Sequence, residues 1–351
     1  MKTQDLNLRV DKLSYSYTIK EITDKEFWNN SLRTFKDANI YQTWNYAALA
    51  QNEKSVKHFA VFDREDIISM ALVRFKVIPV INCGIAYIFA GPIWQKKDGN
   101  NESDILSRIF KTLREEFVVK QRYFLRIKPF LFTDQIPNID FVENEGFKRK
   151  TNLTPYHTLV VNLNKDLTEL RRSLKDRWRK YLKRAEKNDL KVIEGNNYEL
   201  YKTAISVYKE MFNRKRFKQN ISTAGLGKVN LELYDEFKFK IFVIYKDENP
   251  VTATIVSAIG DTGIALLGAS NELGKKYFGA YLAYWEEIKW LKEKGCSRYD
   301  LGGIDPRNNP SVYYFKSGIS ELEAFRVGVF EACENKLSKI LVRIADFILK
   351  K

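Results

Sequence analysis

The chain has 351 residues, 44% of them hydrophobic, which is enough for about two domains that each bury a core. Its three cysteines, Cys83, Cys296 and Cys333, are few and far apart, as is typical of a reducing compartment, so the fold does not depend on disulfides. With only two histidines, no metal site is expected. The net charge of +15 favours an anionic partner: nucleic acid, a phosphorylated ligand or an anionic membrane surface.

The sequence gives no sign of export or of a membrane span. The N-terminal residues lack the apolar core of a signal peptide. The longest apolar candidate, residues 77–94, is interrupted by prolines and glycines and is typical of strands. We therefore expect a soluble, cytoplasmic protein.

In the first half of the chain, apolar alternation predicts strands and helical spacing predicts helices. Strands are predicted over residues 15–21, 58–63, 67–78, 85–90, 123–127 and 158–163. A first helix is predicted after Thr23 or Asp24 as its N-cap, a second runs through residues 47–49, and a third covers 104–119.

The second half opens on a predicted basic helix over residues 169–188. Between residues 171 and 187 it carries nine Lys or Arg and two acidic residues, while apolar residues recur on one face. The later strands are predicted over 190–193, 239–246, 251–259, 262–269, 298–301 and 324–331, and the later helices over 198–212, 279–294 and 337–349. The last helix is amphipathic and is expected to dock on the first domain.

The order of elements repeats. From about residue 58 and again from about residue 239, the chain reads hairpin, strand, helix, strand, which indicates two copies of one α/β unit. We predict a mixed α+β protein with a first domain over residues 1–157, a second, catalytic domain over 158–333, and a C-terminal helix over 334–351 that returns to the first domain.

The most informative stretch of the sequence is residues 296–320. A short strand there runs into Gly302-Gly303, and after a polar loop an aromatic turn, Tyr313-Tyr314-Phe315, leads to Lys316. Glycines let a ligand approach the backbone and aromatic packing fixes the lysine, so this pattern predicts one cation at the floor of a cleft. A solvated lysine on an edge helix remains the alternative, because buried lysines are rare.

Each strand–turn–helix–strand unit resembles the GNAT N-acyltransferase fold, in which the helix N-terminus receives the diphosphate of acyl-CoA. Here the corresponding segment, residues 271–280 (NELGKKYFGA), has glycines and lysines but lacks the usual Gln/Arg-x-x-Gly-x-Gly/Ala pattern. This departure argues against a standard acetyl-CoA enzyme.

Together, five motifs resemble the Fem-type (FemABX) family of tandem-GNAT aminoacyltransferases that build peptidoglycan cross-bridges. They are Tyr41-Gln42-Thr43-Trp44, the basic helix with Lys183-Arg184-Ala185-Glu186, Met211 to Phe217, Tyr299 to Asp305, and Phe315-Lys316-Ser317-Gly318. The resemblance covers residues 41–331. Residues 173–192 are too short for the coiled-coil arm of some members, so the chain is similar to the compact ones.

The resemblance implies that an amine attacks an acyl or aminoacyl ester or thioester. Lys316 matches the lysine of the family's Phe-Lys-x-Gly motif, and its cation suits a developing oxyanion. Phe315 would wall the acyl channel. Arg214 matches an arginine used near a substrate diphosphate, and a guanidinium suits phosphate. Asp305 or Asp300, or the substrate itself, would be the base, although a structural role is favoured for Asp300.

The remaining candidates fall into two groups. The substrate-binding candidates are Arg214, Arg216, Trp44, Tyr314, Gly302 and Gly303. The candidates for contact with tRNA phosphates or anionic lipid are Arg177, Arg179, Lys180, Lys183 and Arg184, and a solvated helix face is their alternative.

We therefore expect an N-acyltransferase that acts on an amine of a cell-envelope precursor, nucleotide- or lipid-linked. It would have no tightly bound cofactor and would use aminoacyl-tRNA or acyl-CoA as donor. One alternative is an acyl-CoA-dependent N-acyltransferase of a surface-polysaccharide sugar. Another is a non-catalytic protein that binds tRNA or lies at the inner surface of the membrane.

Overall fold

A computed structural model describes residues 17–49, 55–81, 83–99, 103–136, 138–151, 153–215 and 223–349. The strands in chain order are β1 (Thr18–Ile22), β2 (Val56–Asp63), β3 (Asp66–Ile78), β4 (Cys83–Phe89), β5 (Phe124–Lys128), β6 (Lys148–Arg149), β7 (His157–Asn162), β8 (Leu190–Gly195), β9 (Lys240–Lys246), β10 (Asn249–Ser257), β11 (Thr262–Ser270), β12 (Arg298–Gly303), β13 (Glu323–Phe325) and β14 (Phe330–Ala332).

The α-helices are α1 (Lys25–Leu32), α2 (Ser103–Arg114), α3 (Phe141–Asn144), α4 (Leu167–Ser173), α5 (Asp176–Lys187), α6 (Tyr198–Lys215), α7 (Thr223–Glu232), α8 (Glu272–Lys276), α9 (Gly279–Glu293), α10 (Pro310–Ser317) and α11 (Lys336–Leu349). Short 3-10 helices cover Ile40–Gln42, Trp44–Leu49, Pro79–Ile81 and Asp235–Phe237, and a π-helical stretch, Glu115–Lys120, extends α2.

The strands form two mixed sheets of seven strands each. The first has the order β1-β2-β3-β4-β5-β14-β6, and the second has the order β13-β7-β12-β11-β10-β9-β8. In each sheet a hairpin leads to one parallel pair, β4 with β5 and β11 with β12. Helix α2 connects the first parallel pair and α9 connects the second, as parallel strands require. The predicted repeat of two α/β units is therefore confirmed.

Apolar side chains join the two sheets into one body. Trp28, Leu32 and Phe35, from α1 and the turn after it, are fully buried in a core shared with Phe239 and Ile255 of the second half. Helix α1 begins as predicted, because the Asp24 carboxylate caps it by accepting hydrogen bonds from two backbone N–H groups.

Three sequence-based predictions were wrong in detail. The basic helix is two helices, α4 and α5, because Leu174 turns into an extended conformation that buries its side chain. The strand predicted over residues 324–331 is two short strands, β13 and β14, in different sheets, and Gly328 between them has a φ of 106°. The predicted aromatic turn is helical: it forms α10, which has Pro310 in its first turn.

The C-terminal part of the chain returns to the first sheet earlier than residue 334, the predicted start of this segment. Strand β14 already pairs with β5 and β6, and α11 then packs on β4 and β5. The carboxylate of Asp346 in α11 bonds to Arg126 at 2.6 and 2.9 Å and also to Lys150. The predicted return of the last helix to the first domain is confirmed.

Candidate active site

The main cavity lies where the second sheet opens. Strands β11 and β12 pair only from Thr262 with Arg298 to Ile264 with Asp300 in the described register, although β11 continues to residue 270. On its other edge, β12 pairs with β7 from Arg298 with Asn162 to Gly303 with Thr158. The gap between the two strands leads into a cavity of about 860 Å³, a size that suits a small-molecule site.

Both halves of the chain line this cavity. Aromatic rings from both halves contribute to its wall: Tyr41, Tyr46 and Phe89 from the first half, and Tyr156, Tyr181, Phe278, Tyr281, Tyr284 and Phe315 from the second. The Phe315 ring lies edge-on to Tyr281 and Tyr284, with ring centroids 5.1 Å apart in both pairs. These contacts fix the position of Phe315, the residue directly before Lys316.

Lys316 projects from α10 to the floor of the cavity. Its Nζ donates hydrogen bonds to the carbonyl oxygens of Gly302 (3.0 Å) and Gly303 (3.1 Å). An ammonium has three N–H groups, so these two bonds leave the third for a ligand in the cavity. Burial lowers the pKa of Lys316 to about 8, while the charges of Asp300 and Glu287 act in the opposite direction.

The loop that holds this lysine requires glycine. Gly302 has a φ of 82°, in the left-handed region that L side chains avoid, and a Cβ there would lie 3.4 Å from the Lys316 Nζ. Asp300 fixes the loop from the other side, because its Oδ1 accepts hydrogen bonds from the Gly302 N–H (2.9 Å) and the Thr158 hydroxyl (2.6 Å). Asp300 therefore positions the two carbonyls through hydrogen bonds rather than lining the cavity.

A buried arginine braces this network across the two halves. The Arg326 guanidinium lies 4.1 Å from the centroid of Phe130 and 4.3 Å from that of Tyr156, and it is 3.9 Å from the Asp300 carboxylate. Arg326 is only 5% exposed. One buried carboxylate and two ring faces therefore take the place of water around its cation.

A second buried acid stands behind the lysine. Glu287 of α9 is fully buried, and its Oε2 accepts a hydrogen bond from the Tyr299 hydroxyl. Burial raises the pKa of Glu287 to about 7, and the Lys316 charge lowers it.

Helix α5 carries positive charge beside the cavity mouth. Tyr181 of α5 stacks on Phe278, with ring centroids 4.7 Å apart, and both rings line the cavity. The guanidinium of Arg177 lies 5.4 Å from the Tyr181 ring, and that of Arg184 lies 5.9 Å from it. Both cations therefore lie against a ring that lines the cavity, and the ring face stabilises them there.

The structure brings together five of the predicted site residues. Lys316, Phe315, Gly302, Gly303 and Arg214 all line the cavity. Arg214 stands at its rim, where its Nη1 is 2.6 Å from a carboxylate oxygen of Glu272.

Other predicted site residues lie elsewhere. Trp44 stacks on the buried His58 at 3.8 Å, and Tyr314 is 72% exposed on the outer side of α10. The Asp305 carboxylate is exposed and accepts hydrogen bonds from the backbone N–H groups of Arg307 and Asn308, so it stabilises its own turn. None of the three lines the cavity. Arg216 lies outside the described residues.

The remaining basic-helix candidates are exposed or half-buried. Lys180 and Lys183 point into solvent on α5. Arg179 is half-buried and pairs with Asp176, which reduces the charge that it presents to a ligand. Among the described residues, no group of three His, Cys, Asp or Glu side chains is arranged to hold a metal ion.

Three site residues did not stand out in the sequence. Tyr156 and Arg326 meet Asp300 from distant parts of the chain, and only packing reveals them. Glu287 does carry a signal, since it lies four residues from both Ala283 and Leu291 on the apolar side of α9. A charged residue at such a position indicates a buried partner.

Comparison with known proteins agrees with this geometry. The model of the FemAB family matches residues 231–345, the part of the chain that holds Glu287, Gly302 and Lys316. The solved structure described as FemX superposes with a TM-score of 0.76, at 15% identity, over 93% of this chain and 99% of that chain. The match to the family model bears out the predicted Fem-type resemblance and the acyltransferase class for residues 231–345, and the superposition bears out the predicted two-unit fold.

A second solved structure shares the fold at a greater distance. It is a conserved protein of unknown function from Bacteroides thetaiotaomicron, with a TM-score of 0.51 and 11% identity over 90% of this chain and 98% of that one. A search of the curated proteins gave no match. Within the described part of the chain, every helix is too short or too polar to cross a bilayer.

Proposed function

We propose that this Fem-type acyltransferase transfers an aminoacyl group from aminoacyl-tRNA to an amine of a peptidoglycan precursor, nucleotide- or lipid-linked. One observation carries the proposal: the Lys316 ammonium is held at the cavity floor by two backbone carbonyls, with its third N–H left for a ligand. A preorganised cation in a partly dry site is suited to an oxyanion, which appears only as acyl transfer proceeds.

The reaction balances without a metal or a redox partner. The acceptor amine forms a C–N bond to the ester carbonyl carbon, and the electron pair of the carbonyl moves to oxygen beside the Lys316 Nζ. The C–O bond to the ribose then breaks, an amide forms, and the amine proton leaves on the released hydroxyl. The substrate itself thus carries the proton, and the exposed Asp305 is not needed for this step.

The cations at the cavity mouth fit the two anionic substrates. Arg177 and Arg184 of α5 flank the entrance and are placed to contact phosphates of a tRNA acceptor end. On the rim, Arg214 pairs with the exposed Glu272, which an incoming diphosphate can replace. The aromatic wall between them suits the apolar part of the aminoacyl group.

Binding of donor and acceptor tests this proposal first. The purified chain would be titrated with aminoacyl-tRNA, acetyl-CoA and a UDP-linked muropeptide at one stated salt concentration, because phosphate-driven binding falls steeply with salt. We expect saturable binding of the charged tRNA and the muropeptide. Saturable binding of acetyl-CoA alone would instead favour the acyl-CoA-dependent enzyme acting on a sugar amine.

Transfer by variants at Lys316 separates a catalyst from a binding protein. We expect Lys316→Met to lower kcat by about 10²–10³-fold with substrate binding retained, as for loss of an oxyanion donor. Lys289→Met is the matched control. The Lys289 Nζ lies 2.5 Å from a carboxylate oxygen of Glu286, and neither residue lines the cavity. Unchanged transfer in Lys316→Met would show that the site assignment is wrong.

A further inference from the structure

Helix α11 has three distinct faces. Its inner face packs on the first sheet through the buried Ser338 and Val342. Its outer face carries Leu337, Ile340, Ile344 and Ile348, which are 52–64% exposed and recur at helical spacing. A helix that only covered a sheet would present polar residues to water, so this apolar outer stripe needs another explanation.

A basic stripe runs beside the apolar one. Lys336, Lys339 and Arg343 recur at the same helical spacing, and all three are exposed. The acidic Asp346 turns inward instead, to Arg126 and Lys150. The solvent side of α11 is therefore apolar and cationic over its 14 residues, or about 21 Å of helix.

An apolar hairpin tip stands at the N-terminal end of this helix. Strand β3 ends in a 3-10 turn whose Val80 is 93% exposed, flanked by the half-exposed Ile78 and Ile81. The tip is tied to α11 because the Gly84 N–H, at the start of β4, donates to the Ser338 hydroxyl at 3.1 Å. The tip therefore lies next to the first turns of α11. We call the two together the α11 surface: Ile78, Val80, Ile81, Leu337, Ile340, Ile344 and Ile348 with the basic stripe.

We propose that the α11 surface binds an anionic lipid bilayer, with α11 lying in the plane of the headgroups. An apolar stripe that enters the acyl boundary beside a basic stripe that meets anionic headgroups is the pattern of an in-plane membrane helix. The net charge of +15 adds long-range attraction to the same surface.

A second copy of the chain fits this surface less well. A two-fold interface places the same patch on both subunits, so the lysines and arginine of one basic stripe would lie near those of its partner. Anionic headgroups neutralise these charges, whereas a second copy adds like charges to them. The α11 surface is also separate from the proposed catalytic cavity, and the proposal does not depend on the transfer reaction.

Vesicle binding by full-length variants tests this proposal. The chain would be sedimented with vesicles of phosphatidylglycerol and phosphatidylcholine, and with phosphatidylcholine alone, at 0.15 M salt, roughly the physiological ionic strength. We expect binding to the anionic vesicles and at least about tenfold weaker binding of Ile340→Glu/Ile344→Glu and of Lys336→Glu/Lys339→Glu/Arg343→Glu. Val80→Asp should weaken binding too, and retained binding would remove the hairpin tip from the surface.

Two controls keep the result specific. Leu231→Glu changes a residue on α7 that is as exposed (56%) as those of α11, and it should bind vesicles like the wild type. Lys180→Glu/Lys183→Glu tests the basic helix α5. Binding lost only in that variant would overturn the proposal. It would also be overturned if the wild type bound no vesicles and instead formed a dimer that Ile340→Glu/Ile344→Glu dissociates.

The charge-reversal variant keeps the test valid if the apolar one folds poorly, because its three side chains are exposed. A thermal melt would check both variants. Transfer to a soluble UDP-linked acceptor should stay unchanged in each of them. Failure of vesicle binding with intact transfer would therefore overturn the membrane proposal alone, and failure of transfer in the wild type would overturn the proposed function alone.

Discussion

The two sheets are built on the same plan but differ at their parallel strand pair. In the first sheet, β4 and β5 stay paired over five residue positions, from Ile85 with Phe124 to Phe89 with Lys128. In the second, the pairing of β11 with β12 stops after three positions and a cavity opens beyond them. The same duplicated unit is thus closed in one copy and open in the other.

The first, closed unit also contributes residues to the cavity of the second, open unit. Gln42 links β3 and β4 of the first sheet. Its side-chain amide donates a hydrogen bond to the Phe89 carbonyl (2.6 Å) and accepts one from the Leu72 N–H (2.8 Å). Its neighbour Tyr41 and the ring of Phe89 then form part of the wall of the cavity in the second half. The first half therefore supplies a rigid wall, while the second supplies the lysine.

Removing the Gln42 side chain should give the largest loss of stability among these substitutions. In Gln42→Ala, the buried Leu72 N–H and the part-buried Phe89 carbonyl lose a hydrogen bond each, and we expect the free energy of unfolding to fall by about 3 kcal/mol. Urea denaturation measures this. Gln135→Ala is the control, because the exposed Gln135 accepts only one backbone hydrogen bond, from Phe132. Equal losses in the two variants would mean that Gln42 does not hold the first sheet closed.

Matched substitutions in the two parallel pairs should have opposite effects. Ala86 of β4 is fully buried, so Ala86→Leu overpacks the core and should cost about 1–3 kcal/mol with transfer by the folded protein unchanged. Ala265 of β11 lines the cavity, so Ala265→Leu should change stability by less than about 0.5 kcal/mol and abolish transfer. Melting curves and transfer rates of both variants would be compared. A stable, fully active Ala265→Leu would show that the gap is not used.

Much of the shared plan of the two sheets was visible in the sequence. Alternating and helical spacing are local properties, so they predicted the hairpins and the strand–helix–strand order that follows each of them. The motif from Gly302 to Lys316 predicted a cation at a cleft floor, because glycines and flanking aromatics are local too. The family resemblance, rather than the spacing, supplied the reaction.

What the sequence did not reveal depends on contacts between distant residues. Arg326 acquires its role from Phe130, Tyr156 and Asp300, which approach it only when the two halves pack. The break before α5 was missed because Leu174 keeps the apolar spacing of an unbroken helix while its backbone is extended. For the same reason the opening between β11 and β12 could not be predicted, since it depends on where the pairing between these two strands ends.

Two glycines with the same backbone conformation allow the loop at the opening to be tested. Gly302 and Gly295 have φ values of 82° and 77°, so alanine at either should cost about 1–2 kcal/mol of stability. A Cβ at Gly302 would lie 3.4 Å from the Lys316 Nζ, whereas one at Gly295 meets nothing within 4 Å. We expect Gly302→Ala alone to slow transfer, by about tenfold or more. Equal rates in the two variants would contradict the role of this loop in placing the lysine.

The last expected effect is a pH dependence that belongs to the open copy. The pKa of Lys316 is about 8 in the folded chain, below its ordinary value of 10.5, so the unfolded chain binds more protons between these pH values. Stability from this group therefore rises with pH across that window, by at most about 1.4 kcal/mol per pH unit. Glu287 acts oppositely at lower pH: its pKa is raised from 4.5 to about 7, so its contribution falls as pH rises between those values.

The difference between wild type and Lys316→Met reports on the lysine and on its charge interaction with Glu287, because every other titrating group is present in both. Urea denaturation at several pH values should show that the wild type gains stability relative to the variant between about pH 8 and 10.5. Transfer should decline over the same range as the ammonium loses its proton, since the neutral amine no longer stabilises an oxyanion. A stability difference that is independent of pH would mean that Lys316 is not buried as the cation of this site.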